Sequence, residues 1–206
     1  MREKACFIVG AGDFSEKALK IESGDLVIAA DAGYKHLLKV GIEPDYIIGD
    51  FDSLGEIEQS EKVIRFKVEK DDTDTALAIK HGIAKGFKLF YIFGATGGRL
   101  DHTIANIQCL VNLSRNSMRG YLISENQITT AITNDEISFD EKHSGNVSVF
   151  AYGSSAKGVY EKGLKYKLEN AVVYDDVPLG VSNMFIGKNS SIKVTEGTLV
   201  AVWDRI

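Results

Sequence analysis

Carboxylates recur just past the ends of short apolar runs along the first half of the chain. Asp31 follows Leu26–Ala30, Asp50 and Asp52 follow 46–48, Asp71, Asp72 and Asp74 follow 63–66, and Asp101 lies beyond Leu89–Phe93. If these runs are neighbouring parallel strands, their carboxyl ends share one edge, the edge where open α/β sheets bind ligands. Seven acids would then face one crevice. Each alone has an ordinary use, since Asp71 or Asp72 can cap a helix beginning near Thr73, where negative charge suits the helix dipole. As a set they repel: two carboxylates about 5 Å apart oppose each other by roughly 3 kcal/mol at an effective dielectric of about 20. A divalent cation relieves that repulsion, and an all-oxygen donor set favours magnesium or manganese over zinc.

Beside the acids, residues 94–102 read Gly-Ala-Thr-Gly-Gly-Arg-Leu-Asp-His, a glycine-rich turn from a strand into a helix. Such a turn lets backbone N–H groups approach a phosphate, and Arg99 can fork two phosphate oxygens. A plain tight turn would leave the same trace. Gly10 and Gly12, before Asp13, offer a second, weaker cradle, because Ser15 stands where a dinucleotide fingerprint needs its third glycine. No phosphate-binding G-x-x-x-x-G-K-[ST] loop and no protein-kinase motif set is present. His102 and Asn106 share a helix face at i, i+4 that can look toward the crevice. His36, His81 and His143 read as packing or surface residues. Val181 to Phe185 places Ser182 and Asn183 inside an apolar pattern, which reads as a bulge or turn.

The elements that position these residues change character near residues 120–126. Before that point, runs at Ala5–Val9, Leu26–Ala30, 46–48, 63–66 and Leu89–Phe93 alternate with helical patterns, the signature of parallel strands and crossover helices. Ala76, Ile79 and Ile83 mark the apolar face of one helix, and Leu100, Ile104, Ile107 and Val111 that of the next. After it come short segments at 120–124, 128–132, 147–152, 164–168, 191–194 and 199–203, punctuated by glycine, asparagine and serine, as in an antiparallel sandwich. We therefore expect an α/β domain over 1–122 and an all-β sandwich over 123–206.

Composition narrows the possibilities. The 206 residues are 44% hydrophobic and 26% charged, far from a disordered composition, and no apolar run has membrane-span length. Net charge is −5 without a basic run, which argues against nucleic-acid binding. Cys6 and Cys109 sit among apolar residues at no disulfide or zinc spacing, so a cytoplasmic setting is expected. Twenty glycines, against about 7% in an average chain, mean many tight backbone positions.

In order and spacing, Gly49-Asp50-Phe51-Asp52-Ser53, Asp71-Asp72-Thr73-Asp74, Gly97-Gly98-Arg99-Leu100-Asp101-His102 and Ser182-Asn183 resemble the thiamine pyrophosphokinase (thiamine diphosphokinase) family over essentially the whole chain. The resemblance implies a homodimer with active sites between subunits. It also implies transfer of the β,γ-diphosphoryl group of ATP to the hydroxyl of thiamine, releasing AMP. Carried over by position, Asp50, Asp52 and Asp74 hold magnesium, with Asp71 and Asp101 near the same ions. Arg99, Gly97, Gly98, Asp31, Lys70 and His102 fall on the ATP side. Ser182 falls where the thiamine pyrimidine is hydrogen-bonded, and Asn183 supports that loop. Ala32, after Asp31, departs from the glycine of many relatives. Tyr152, Tyr160, Phe185 and Trp203 are candidates for stacking on thiamine, with core packing as the competing use. Other readings are a magnesium phosphatase or glycosyltransferase using Asp50-x-Asp52, though a D-x-D phosphatase wants that motif after its first strand, and a non-catalytic nucleotide or vitamin sensor. If the acids hold the metal, Asp52→Asn lowers turnover by several orders of magnitude and leaves the circular dichroism spectrum intact; a variant that retains activity refutes the metal model.

Overall fold

Unbroken apolar runs cannot form half-wet strands; they need cover on both faces. Ala5–Val9 (β1) and Leu26–Ala30 (β2) are buried at every position. They pair in parallel, Cys6 opposite Leu26 through Val9 opposite Ala29. Tyr46–Gly49 (β3), Val63–Arg65 (β4), Leu89–Phe93 (β5) and Arg119–Ile123 (β6) complete this sheet in the order β6-β5-β1-β2-β3-β4. The computed structural model describes residues 2–49, 62–65 and 72–205. The chain divides into two units, one of Met1–Cys109 with Gly120–Glu125, the other of Leu110–Arg119 with Asn126–Ile206.

In the first unit the strand order has one reversal. Strands β2, β3 and β4 extend from one side of β1, whereas β5 returns to its other side, parallel, with Ala5 opposite Leu89 and Val9 opposite Phe93. At such a switch point open α/β sheets bind ligands, just outside the carboxyl ends of the strands. Helices Gly33–Lys39 (α1) and Asp74–Ala84 (α2) pack on the strands, and Leu100–Arg115 (α3) follows β5. The start of α2 is capped by Thr73, whose Oγ1 accepts the Ala76 N–H at 3.2 Å. Asp72 is not the cap; it pairs with Lys80 at 2.6 Å.

Two helix faces differ from the sequence reading. In α2 the buried residues are Ala78, Ile79 and Gly82, with Ala76 and Ile83 half-buried. In α3 they are Asn106, Leu110, Val111 and Leu113, while Leu100 and Ile104 are exposed, at 72% and 48%. The stripe of α3 is buried in its later turns, at Leu110 and Val111, although its spacing begins at Leu100.

The second unit is a β sandwich. Gln127–Thr133 (β7), Glu136–Phe139 (β8), Asn146–Ala151 (β9), Ala156–Lys162 (β10), Leu168–Val173 (β11), Asn183–Met184 (β12), Ser190–Lys193 (β13) and Thr198–Asp204 (β14) form two sets. Their orders are β12-β9-β14-β7 and β11-β10-β13-β8. The ring of Phe139 meets Trp203 at 5.2 Å and Phe185 at 5.1 Å, both edge-on, tying the two sets through one aromatic core. The expected strand at 164–168 is absent: Leu164 makes an isolated bridge to Phe185, and the strand begins at Leu168. Gly163, at φ +70°, ends β10 first. The strands β8 and β10 went unread, β10 because Gly158, at φ +60°, and flanking charges hide its alternation.

Among the described residues no helix is long and apolar enough to cross a membrane. One close approach fixes α1 on the sheet: a Cβ added to Gly33 would lie 1.8 Å from the carbonyl oxygen of Val9. Both sides of that contact are backbone, so no rotamer change relieves it. Gly33→Ala is expected to destabilise the protein by about 3 kcal/mol, the top of the usual range for overpacking; an unchanged urea midpoint would show that α1 shifts freely.

Candidate active site

Two glycine-bearing turns meet at the reversal between β1 and β5. Gly10 N donates to Phe93 O at 2.8 Å, Gly12 N to Gly94 O at 2.7 Å and Asp13 N to Thr96 O at 3.1 Å. The turns touch so closely that a Cβ on Gly10 would lie 2.7 Å from Gly94 O, and one on Gly12 2.5 Å from Thr96 O. A cavity of about 320 Å³ opens over them. Residues 10–12 of one turn and 94–98 of the other line its floor, and five of these eight are glycine. The weaker of the two sequence cradles thus shares one cavity with the stronger.

The walls carry polar groups from other segments. Asp31 stands past β2 in the left-handed region, at φ +48°, with its N–H on Ile48 O at 2.9 Å. Gly49 crowds it, since a Cβ there would fall 3.2 Å from Asp31 Cα. Thr73, Asp74 and Thr75 line the cavity from the start of α2, and Arg99, His102 and Asn106 from the start of α3. Asn106 is buried and donates through Nδ2 to Ala95 O at 2.7 Å, tying α3 to the turn that precedes it.

Of the seven acids, Asp31 and Asp74 border the cavity. Asp72 is turned onto Lys80 and is not in the lining. Asp101 is also outside it: its carboxylate takes a fork from Arg99, Nε at 3.2 Å and Nη2 at 2.6 Å, and the His102 N–H at 3.0 Å. The Arg99 hydrogen bonds hold the Asp101 carboxyl below its ordinary range. Both side chains are open to solvent, so a bound phosphate can draw Arg99 away at small cost. Asp50, Asp52, Lys70 and Asp71 lie outside the described residues. Among the described residues no group of three or more His, Cys, Asp or Glu side chains is placed to hold a metal. Asp31 and Asp74 nevertheless supply hard oxygen donors at the cavity that the glycine turns floor, a donor set suited to magnesium with phosphate.

In the second unit, Ser182 and Asn183 have different tasks. Ser182 is exposed and left-handed, at φ +61°, with its N–H on Ser148 Oγ at 3.0 Å. Asn183 is buried and faces the protein: Oδ1 accepts from Tyr166 N and Met184 N, both at 2.9 Å, and Nδ2 donates to Tyr166 O at 2.6 Å and to Glu161 Oε2. Its amide is filled, so Asn183 shapes the loop and offers a ligand no free hydrogen-bonding group. Of the proposed stacking rings, Phe185 and Trp203 belong to the aromatic core, and Tyr152 and Tyr160 are half-buried. Besides Phe150 on β9, the exposed rings described in this unit are Tyr166 and Tyr174, at 59% and 52%; Tyr166 sits on the loop that Asn183 holds, with Lys165 Nζ 5.4 Å from its centre. Neither carried a sequence signal, because exposure of a ring cannot be read from strand alternation where the strand itself is interrupted. The histidines set aside do pack on rings: His36 on Phe14, His81 on Tyr46, His143 on Phe139.

Over residues 18–122 the chain matches the family model of the thiamin pyrophosphokinase catalytic domain, and over 134–199 that of the thiamin pyrophosphokinase vitamin B1 binding domain. Thiamine pyrophosphokinase of Bacillus subtilis (strain 168) is 29% identical over 184 residues, 86% of either chain. A crystal structure of thiamine pyrophosphokinase from Bacillus subtilis has a TM-score of 0.88 at 26% identity, covering 98% of this chain and 100% of that one. One from Geobacillus thermodenitrificans, at 24% identity, shares the fold with a TM-score of 0.85 over 98% of each chain.

Glu161, buried under the Ser182 loop, gives a pH signature. Burial pushes its carboxyl up from 4.5, against the opposing hydrogen bond from Asn183. Above pH 4.5 the unfolded chain has lost this proton while the folded chain still holds it, so stability falls as pH rises toward the raised native value. Urea midpoints measured across that interval are expected to decline less steeply for Glu161→Gln than for the parent; parallel curves would mean that this carboxyl titrates alike in both states.

Proposed function

We propose, on the premise that this chain belongs to the thiamin pyrophosphokinase family, that its diphosphoryl donor is ATP and that magnesium assists the transfer. As a member it is a thiamine diphosphokinase, an enzyme that forms thiamine diphosphate from thiamine. The observation that carries the finer reading is the cavity at the strand reversal, with a glycine-rich floor and walls bearing Asp31, Asp74 and Arg99.

In this reading the triphosphate of ATP lies against the 94–98 turn, whose glycines let phosphate oxygens reach its backbone N–H groups, while those of Gly10, Gly12 and Asp13 are engaged across the seam. Arg99 leaves Asp101 and forks two of those oxygens. His102 and Lys70 belong to the same nucleotide side. Asp50, Asp52 and Asp74 would hold magnesium, which, when bound, offsets charge on the bridging phosphate oxygens. The thiamine hydroxyl oxygen forms a bond to the β-phosphorus while the bridge between the α- and β-phosphates breaks, and AMP leaves with the electron pair. The hydroxyl proton passes to a base for which Asp71 and Asp101 are the candidates. No covalent enzyme intermediate is needed, so catalysis is positioning plus electrostatics.

Ser182 would hold the pyrimidine of thiamine, on the loop fixed by Asn183. Thiamine carries a permanent positive charge, which suits a protein of net charge −5 and a carboxylate-rich rim. The proposal includes a homodimer with active sites between subunits, working in the cytoplasm. Family models matching both halves leave no observation in favour of the phosphatase, glycosyltransferase or sensor readings.

Mass analysis of one turnover with ATP, magnesium and thiamine decides the donor chemistry. The expected products are AMP and thiamine diphosphate, lost on chelation with EDTA and restored by magnesium. ADP with thiamine monophosphate as sole products would overturn the diphosphoryl assignment, and undiminished turnover in EDTA would overturn the metal.

A further inference from the structure

We infer that Glu161 is a positioning residue for thiamine binding: its Oε2 fixes the Asn183 carboxamide, and that carboxamide sets the backbone on which Ser182 stands. The inference rests on the reading of the Ser182 loop as part of the thiamine site.

Glu161 lies in β10, 3% exposed, opposite Leu168 on one neighbouring strand and Ile192 on the other. A carboxyl at such a place costs stability that an apolar side chain would not, so its residue type points to a polar task. The task is visible at Asn183. That amide has two N–H donors and one oxygen with two acceptor sites. All four are used: Tyr166 N and Met184 N on the oxygen, Tyr166 O and Glu161 on the nitrogen.

Three of those four partners are backbone groups of the loop itself. Glu161 is the exception: it ties the carboxamide of Asn183 to β10, while the backbone of Asn183 pairs with Val147 of β9 on the other side. The neighbouring pairing is thin: β12 has two residues, and the segment across from it is held by Lys165 N on Met184 O at 2.9 Å and an isolated bridge from Leu164 to Phe185. Ser182 sits at the end of this short pairing in a left-handed backbone that a non-glycine residue adopts only when its surroundings impose it. Its amide is held by Ser148 on one side, and the chain is held by Asn183 on the other. Removing the Glu161 oxygen therefore takes away one of the four hydrogen bonds that fix the Asn183 amide, the one to β10, and loosens with it the backbone that aims the Ser182 hydroxyl.

The test separates thiamine from ATP kinetics. Glu161→Met keeps the length and buries no acceptor. It is expected to raise the KM for thiamine about ten-fold, to leave the KM for ATP within about two-fold, and to increase amide hydrogen exchange at Tyr166 and Met184. An unchanged thiamine KM in the folded variant overturns the inference, as does a parallel loss in both substrates, which a merely structural role would give. A polarity swap covers the case in which Glu161→Met does not fold. Asn183→Asp sets two carboxyls face to face and raises the thiamine KM, whereas Glu161→Gln combined with Asn183→Asp restores a donor between them and recovers at least part of it. No recovery in the folded double variant overturns the inference. Ser182→Ala serves as the control for the underlying reading: if it leaves the thiamine KM unchanged, both readings fall, and if it raises that KM while Glu161→Met does not, only the role of Glu161 falls.

Discussion

Three backbone hydrogen bonds, from Gly10, Gly12 and Asp13 to the chain leaving β5, close the two turns upon each other at the one place where the strand order reverses. They require that no side chain stand between the turns, and Gly10, Gly12 and Gly94 meet that requirement. The shape of the cavity follows from this contact. The start of α3 is anchored to the β5 turn by Asn106, and Asp31 and the cap of α2 stand around the floor that the turns make. Polar side chains from three segments that lie far apart in sequence, at 31, 73–75 and 96–106, thereby border one cavity.

The second unit solves a different problem. A left-handed residue such as Ser182 cannot rely on a two-residue strand alone to hold it. Here the amide of Asn183 takes over the backbone groups of Tyr166 that a regular ladder would have used, and it does so from a buried position. The loss of the expected strand at 164–168 and the fixing of the Ser182 loop are the same event. Local strand pairing has been exchanged for side-chain hydrogen bonds, which hold a shape that a ladder cannot make.

The parallel half was legible because burial on both faces forces unbroken apolar runs, and Ala5–Val9, Leu26–Ala30 and Leu89–Phe93 have bounds that those runs dictate. The helix faces were less so. Leu100 and Ile104 carry the right spacing for a buried stripe, but spacing does not say which turns of a helix are covered. The acid pattern pointed to the strand-end rim, where Asp31 and Asp74 are found, yet it could not distinguish them from Asp72 and Asp101, which are turned onto Lys80 and Arg99. In the sandwich, Gly158 concealed β10, and nothing in the sequence showed that Glu161, within it, would point at Asn183. Long-range side-chain pairs of that kind leave no periodic trace.

A floor made largely of glycine has an evolutionary corollary. Any bulk added at Gly10, Gly12 or Gly94 collides with peptide groups across the seam, so these positions cannot reshape the cavity. Drift in what the cavity accepts must therefore enter where side chains already stand, at positions such as Thr75, Thr96 and His102, while the glycine seam stays constant.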